Sequence, residues 1–494
     1  MREGEMEKLR NEKMERCRDA KMEKWKNIGL GVVASTSSSY NVLLNEIEGW
    51  LKAGCKALIV LLAVTGVLMA GVNRAHAQQE TPKLDGELPA ALQTYMERAA
   101  QNHPELKADY ANYRAALQQV PQVDALPDPE LVFGWFIQPI ETRVGPQQAR
   151  VGVTQMFPWF GTLDARGDAA SYRAKAALQE LQNTRNRIFY EVQKGWYRMY
   201  ELQRQQDLLQ EQRAILKSFE ALALQQYETD SGSQVDVLRA RNRIDELEVR
   251  IADVKDRRRV ALQNFRELLH DPGLESVQVP DTLDPSAFDK LADEQELYQQ
   301  LARQNPKLLK LDRQKQSAGA AVEAAEKAGK PSFGLGFDYL FTGERSGVSG
   351  LSDNGKDAMM ARAMLRIPLN RDKYNAQEKQ ARLQQESIEY RQQALTDRLR
   401  TELQKELSRY REAGRTMALY AEKLIPRTRQ AVSIEKSRYS SDGGRFEELL
   451  DLQQQLLEQQ IRYEQALAKK QTARAYVEYL AGKHSAGNEE MEKK

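Results

Sequence analysis

The sequence has 494 residues, with 73 Lys and Arg set against 71 Asp and Glu, and only two cysteines. A charge this close to neutral gives nucleic-acid binding no compositional support. Aromatic residues make up 7% of a chain whose long tracts are rich in Gln, Leu, Ala, Glu, Lys and Arg, the composition of extended helices packed side to side.

Lys52 and Lys56 precede the apolar run Ala57 to Ala70, and Ala75-His76-Ala77 follows it. A positive flank, a short apolar run and an A-x-A site describe a secretory signal peptide over 51–77, with cleavage after Ala77. As a membrane anchor the run is too short, reaching about 21 Å as a helix against a hydrocarbon core of roughly 30 Å. Residues 1–50 are dense in Lys, Arg and Glu, make a poor secretory leader, and read as a non-native or mis-assigned N-terminal extension. Removing residues 1–77 takes away 12 Lys or Arg and 9 Asp or Glu, which leaves 61 and 62 and a net charge of about −1. Cys17 and Cys55 go with them, so neither disulfide chemistry nor an N-terminal lipid is expected.

From Leu88 the pattern is read twice, as a first repeat over 88–270, a connector over 271–290 and a second repeat over 291–482. A short helix is broken at Asn102-His103-Pro104, and a new one starts at Pro104, where the missing N–H costs nothing; Asn305-Pro306 does the same later. These helices are expected to run to Val120 and Lys327, with Pro121 to Pro129 breaking the first. Leu131, Phe133, Trp135 and Ile137 then alternate with their neighbours, and Gln148 to Phe157 follows with Val151 and Val153 on one face. Phe333, Leu335, Phe337 and Tyr339 alternate in the second half, with Ala361 to Ile367 as partner strand. Loops are expected over Pro139 to Pro146 and over Thr342 to Lys356. Strands of about ten residues, apolar on one side and polar on the other, suit the wall of a transmembrane barrel. A soluble hairpin packed on helices has the same pattern, but four strands cannot close a barrel alone, so strands in lipid require several chains.

Thr162 to Tyr227 holds 66 residues without a proline, and Asp372 to Tyr439 holds 68 interrupted only by Gly414 and Pro426. Each reaches roughly 100 Å as a helix. Their return limbs, Gln234 to Leu269 and Phe446 to Leu480, are about half as long. Ile244, Leu247, Ile251 and Val254 step by three and four, Ala261, Phe265 and Leu268 continue that register, and Leu208, Ile215 and Leu222 step by seven on the outbound limb. That is coiled-coil spacing. The short limb leaves the far half of each long helix for the helices starting at Pro104 and Pro306 to cover. The tail over 483–494 is polar and expected to be disordered.

The two helical hairpins end in Tyr227 to Leu238 (YETDSGSQVDVL) and Tyr439 to Leu450 (YSSDGGRFEELL). Aligned Tyr to Tyr, Asp230 falls on Asp442, Gly232 on Gly444 and Leu238 on Leu450, each 212 residues apart. Glu448 and Asp451 stand three apart, on one helix face. As isolated charges near a helix N-terminus they are explained by the helix dipole alone. His103, His270 and His484 have no His or Cys neighbour at ligand spacing, so no enzyme activity, cofactor or metal site is expected.

The twofold recurrence of the Asn/His-Pro elements, of Gln155-Met156-Phe157-Pro158 and Arg366-Ile367-Pro368-Leu369 at the strand-to-helix turns, and of the Tyr-led tips resembles the TolC family of outer-membrane efflux proteins. The resemblance covers about Leu88 to Gly482. It implies a mainly α fold with transmembrane β: a tandem repeat whose helical hairpins form a periplasmic helical barrel, and whose four strands per chain contribute to a trimeric 12-stranded outer-membrane barrel. Function would be that of a passive conduit in the Gram-negative outer membrane, working as a homotrimer in lipid with a periplasmic adaptor and an inner-membrane pump such as an RND or ABC transporter. It carries gate roles onto Asp236, Tyr439, Arg445, Glu448 and Asp451, with Arg445 expected to pair with Asp236 although it stands about one position beyond the family's arginine. Adaptor contact would fall to the tips at Asp230, Gly232, Ser233, Asp442, Gly444 and Phe446. The family commonly has Gly three residues after the Tyr, where this chain has Asp230 and Asp442. A periplasmic adaptor or structural coiled-coil protein is the alternative, but adaptors usually show one hairpin flanked by β domains rich in Gly and Val.

Overall fold

A computed structural model describes residues 88–283, 291–347, 352–441 and 445–483. The leader, the N-terminal extension, the end of the connector, Asp442, Gly444 and His484 lie outside the described residues. In chain order the elements are α1 (Ala90–Asn102), α2 (Pro104–Asp124), β1 (Glu130–Thr142), β2 (Gly145–Phe157), α3 (Thr162–Glu228) and α4 (Gln234–Leu269). The same order recurs in α5 (Glu294–Gln304), α6 (Pro306–Ala328), β3 (Ser332–Thr342), β4 (Ala358–Arg366), then α7 (Arg371–Ala418), a π-helical turn (Leu419–Leu424), α8 (Ile425–Ser440) and α9 (Phe446–Ala481).

The four strands form one antiparallel sheet in the order β1-β2-β3-β4. Its central seam joins the two halves of the chain, pairing Val153 with Phe337 and Val151 with Tyr339. Pro139 does not open a loop, as expected from sequence. β1 runs on to Thr142 and β2 starts at Gly145, and the register slips between Trp135 and Ile140 to take up the disturbance. A proline is tolerated there because β1 is an edge strand whose outer N–H groups have no partner in the sheet. β4 begins at Ala358, three residues ahead of the expected start.

Gly161 bends the chain from β2 into α3 with φ 72°, a left-handed value that a side chain would resist. α3 is then unbroken for 67 residues. On one side of it α4 supplies the coiled-coil seam: Ile244, Leu247, Ile251 and Val254 are buried with Leu208, Leu209 and Leu216 of α3, as the three-and-four spacing requires. Beyond the end of α4 the early helices take over. Thr184 donates to Asp109 of α2 at 2.6 Å, Arg187 pairs with Glu105 of α2 at 2.5 Å, and Ser317 of α6 donates to the Ala169 carbonyl at 2.8 Å. α2 extends four residues past Val120 because Pro121 lies in its last turn, where only one helix bond is lost.

The second long helix differs from the first. Gly414 sits inside α7 without interrupting it, whereas Pro426 follows directly on the π turn. A proline ring collides with the carbonyl four residues back, and the wider π turn opens that space. Around the middle of the bundle, α1 and the connector wrap α3. Trp196 donates to the Gln278 carbonyl at 3.0 Å, Tyr95 accepts from the Gln278 amide at 3.0 Å, and Arg98 holds Asp271 at 2.8 Å. Trp196, Met96, Leu269 and Phe265 are buried there in one apolar cluster. A second belt joins Leu297 and Leu301 of α5 to Leu403 of α7 and Leu480 of α9.

Candidate channel wall and helix tips

The sheet has two unlike faces, as strand alternation predicts. On one face Leu131, Phe133, Trp135, Ile137, Leu335, Phe337, Met359 and Leu365 stand exposed, Ile137 at 98% and Trp135 at 77%. A polypeptide in water covers such groups; a contiguous apolar sheet face marks contact with lipid or another chain. At the helix end of the sheet Trp159, Phe160 and Phe333 cluster with ring centroids 5.8 to 6.0 Å apart. Aromatic groups at that level are what a membrane interface favours.

The opposite face carries the buried charges of the sheet, among apolar groups such as Val132, Met360 and Met364. Asp338 is wholly buried between Arg150 (2.8 Å) and Arg362 (2.5 Å), which reach it from the strands on either side. Gly152 makes this possible, since a Cβ there would stand 2.0 Å from an Asp338 carboxylate oxygen. Sequence reasoning named none of these three charges as a group. Strand alternation puts each on the inner face, but only the β2–β3–β4 register makes them neighbours.

At the far end of the molecule the two tips differ. In the first, the amides of Ser231 and Gly232 both donate to the Gln226 carbonyl at 2.9 Å, and Ser233 caps α4 by accepting from the Val235 amide at 3.1 Å. Asp230 takes a left-handed φ of 55°, a region that Gly enters without strain. Asp is among the side chains that tolerate this region. In the second tip, Phe446 is buried against the Tyr439 ring with centroids 5.0 Å apart. Tyr439 is itself buried, whereas its sequence counterpart Tyr227 is 43% exposed. Glu435 closes this turn by accepting from the Arg445 amide at 2.9 Å, a part that no local motif announced.

The structure brings Asp236 and Tyr439 together. Burial raises the Asp236 carboxyl above its ordinary value, against the pull of Arg239; burial and the Asp236 charge push the Tyr439 phenol up to about 12. Arg445 is not the partner of Asp236. It lies 3.8 Å from Glu448, while Arg239 lies 3.9 Å from Asp236 and 3.0 Å from Glu447. Helical spacing puts Arg239 one turn after Asp236 and Arg445 one turn before Glu448, while the shorter contact of Arg239 crosses to Glu447 of α9. Asp451 faces Arg243 of α4 at 3.6 Å, and Glu448 and Asp451 are both more than half exposed. The acids of α9 therefore stand in solvent, each beside an arginine.

Among the described residues there is no group of three or more His, Cys, Asp or Glu placed to hold a metal ion. His103 lies at the α1–α2 break, where burial lowers its pKa, within electrostatic reach of Glu105, Arg187, Glu191 and His270, and His270 ends α4 in the left-handed region. None of the helices among the described residues is long and apolar enough to cross a membrane.

Residues 95–269 match the family model described as outer membrane efflux protein. No curated protein matches the chain. Among solved structures, the chain is similar to the channel CusC (16% identity, TM-score 0.68, covering 79% of this chain and 92% of that one). It is also similar to VceC of Vibrio cholerae (14%, 0.63, 80% and 96%) and to the open state of MtrE of Neisseria gonorrhoeae (16%, 0.63, 82% and 94%). The resemblance to the TolC family of outer-membrane efflux proteins stands: residues 95–269 match that family's model, and the fold of the chain is that of its solved channels.

Proposed function

We propose that this chain is one third of a passive efflux conduit, in which three sheets close a 12-stranded barrel in the Gram-negative outer membrane and the helices continue it as a tunnel through the periplasm. The observation that carries the reading is the sheet itself. Its four strands have two open edges, an exposed apolar face and a buried-charge face, and a sheet of this kind is complete only when copies of it close on one another in lipid. Helices rich in Gln, Arg and Glu need water on at least one side, which suits a wall between periplasm and tunnel. On this reading the two halves of the chain are tandem repeats, and the hairpin tips meet a periplasmic adaptor through Asp230, Gly232 and Ser233, with Asp442 and Gly444 of the second turn; Phe446, expected among these contacts, is buried against Tyr439 and supports the tip from within. The adaptor in turn connects to an inner-membrane pump, which chooses the cargo.

Tyr439, Asp236, Arg445, Glu448 and Asp451 form the proposed periplasmic gate. Three copies of Glu448 and Asp451 around the axis give six carboxylates, and such a ring favours cations in a narrow entrance. Single-channel recording of the purified mature protein in planar bilayers tests both levels, with Glu448→Ala/Asp451→Ala as comparison. Cation-selective pores that lose selectivity in the double variant are expected. Pores indifferent to the variant would remove the acidic ring and keep the conduit; folded wild-type protein that gives no pores would overturn the conduit in favour of a structural or adaptor role.

A further inference from the structure

We infer that the lumen wall of the barrel carries a net positive belt built on Arg150 and Arg362, which makes the outer-membrane section favour anions, with Asp338 setting the strength of that preference. The inference rests on the trimeric conduit proposed above, because it takes the face opposite the apolar one as the lumen.

Asp338 has no exposed side-chain surface, whereas Arg150 and Arg362 keep 29% and 28% of theirs. The carboxylate accepts from Arg150 Nε at 2.9 Å and from Arg362 Nη2 at 3.1 Å, and Arg362 also reaches Thr154 Oγ1 at 3.3 Å. An ion crossing this level therefore meets guanidinium groups and not the acid behind them. One carboxylate balances one arginine, and the other arginine remains as excess charge. The cross-strand rows Glu130–Thr154–Gly336–Arg362 and Val132–Gly152–Asp338–Met360 place the remaining inward charges. Over the whole face, Arg366 opposite Ser332 at the helix end of β4 adds a third arginine and Glu130 in the Arg362 row a second acid, so the face of each chain contributes a net single positive charge and a trimer three.

The glycines give the belt its form. Gly152, Gly334 and Gly336 are inward positions with no side chain, and the room they leave is taken by Asp338, Met156 and Thr154 of the neighbouring strands, so the acid lies flat on the sheet beneath the arginine heads. A positive belt midway along the barrel wall and an acidic entrance at the periplasmic tips would give two sections of the conduit opposite preferences, so Asp338 and the tip acids act on different parts of the path.

The test is the reversal potential of single pores under a KCl gradient between about 10 and 100 mM, where charges are screened over about 30 to 10 Å. Asp338→Asn removes the hidden acid and should move the permeability ratio towards anions; Arg150→Gln and Arg362→Gln should each move it towards cations. By Coulomb's law in water, three charges about 10 Å from an ion shift the ratio by about twofold or more. Trimer mass is measured in parallel. A cluster that only staples β2, β3 and β4 together would lower the trimer's heat resistance in all three variants and leave the ratio unchanged, which overturns the inference. Should Asp338→Asn fail to form trimers, the two arginine variants decide, and an unchanged ratio in both sinks the idea. Wild-type protein without pores would instead sink the conduit reading, so the two failures are distinguishable.

Discussion

Phe337 lies at the middle of β3, with five residues of the strand on either side, and its side chain is on the exposed apolar face. If that face meets lipid, Phe337→Arg places a guanidinium near the bilayer midplane, which costs about 2 to 4 kcal/mol in a barrel wall. Each trimer carries the substitution three times, so the assembled barrel should lose about 6 to 12 kcal/mol. Met360→Arg is the matched control. Met360 is paired with Asp338 across β3–β4 and faces the other way, so its new charge enters the face beside that acid, which is the lumen on the conduit reading. The assay is urea titration of each variant folded into lipid vesicles, read by tryptophan fluorescence and by the trimer band in unheated gels. Phe337→Arg should abolish or strongly weaken the trimer while Met360→Arg changes it by less than about 1 kcal/mol. Equal tolerance of both would refute lipid contact on the apolar face, and the reverse ranking would mean that the faces are assigned the wrong way round.

Asp236 gives a pH prediction. Burial raises its carboxyl above the ordinary 3.8, so the folded tip holds a proton where the unfolded chain has released it. Stability of the tip therefore falls as pH rises from the unfolded value through the raised folded one, and the cost is fully present at neutral pH. Asp236→Asn should slow amide exchange around Tyr439 at pH 7 and leave it unchanged at about pH 3, below both values; slower exchange at both pH values would exclude titration as the cause. Phe446→Ala removes the ring packed on Tyr439, and a cost of about 3 to 5 kcal/mol is expected for a buried aromatic. It should appear as protease cleavage near the second tip, with the central cluster around Trp196 still protected. Pro426→Ala should let the π turn close into regular helix, seen as stronger amide protection over 419–430; protection unchanged from wild type would show that the proline is not what holds the turn open.

Much of the fold can be read along the chain. Pro104 and Pro306 start helices where expected, the three-and-four spacing of Ile244 to Val254 marks the buried seam, and alternation in β1 and β3 separates the two faces of the sheet. Pro121 and Pro139 mislead because each stands where its missing N–H costs little, one in a last helical turn and one on an edge strand. At the tips the residue types are legible from the resemblance, but their partners are not. Arg445 reads as the mate of Asp236 by order along the chain, yet helical spacing gives it Glu448 and gives Asp236 to Arg239.

Local periodicity and the twofold motif order are properties of neighbours in sequence, so the chain alone determines most helix starts, the strand faces and the resemblance to efflux channels. Contacts between distant segments are not. The β2–β3 seam that surrounds Asp338 with Arg150 and Arg362, the burial of Tyr439 but not Tyr227, and the reach of Glu435 to the Arg445 amide each depend on how whole elements sit against one another. Two sequence-equivalent tyrosines thus acquire different roles because the surfaces that meet them are not equivalent, and that difference exists only in the packed tertiary structure.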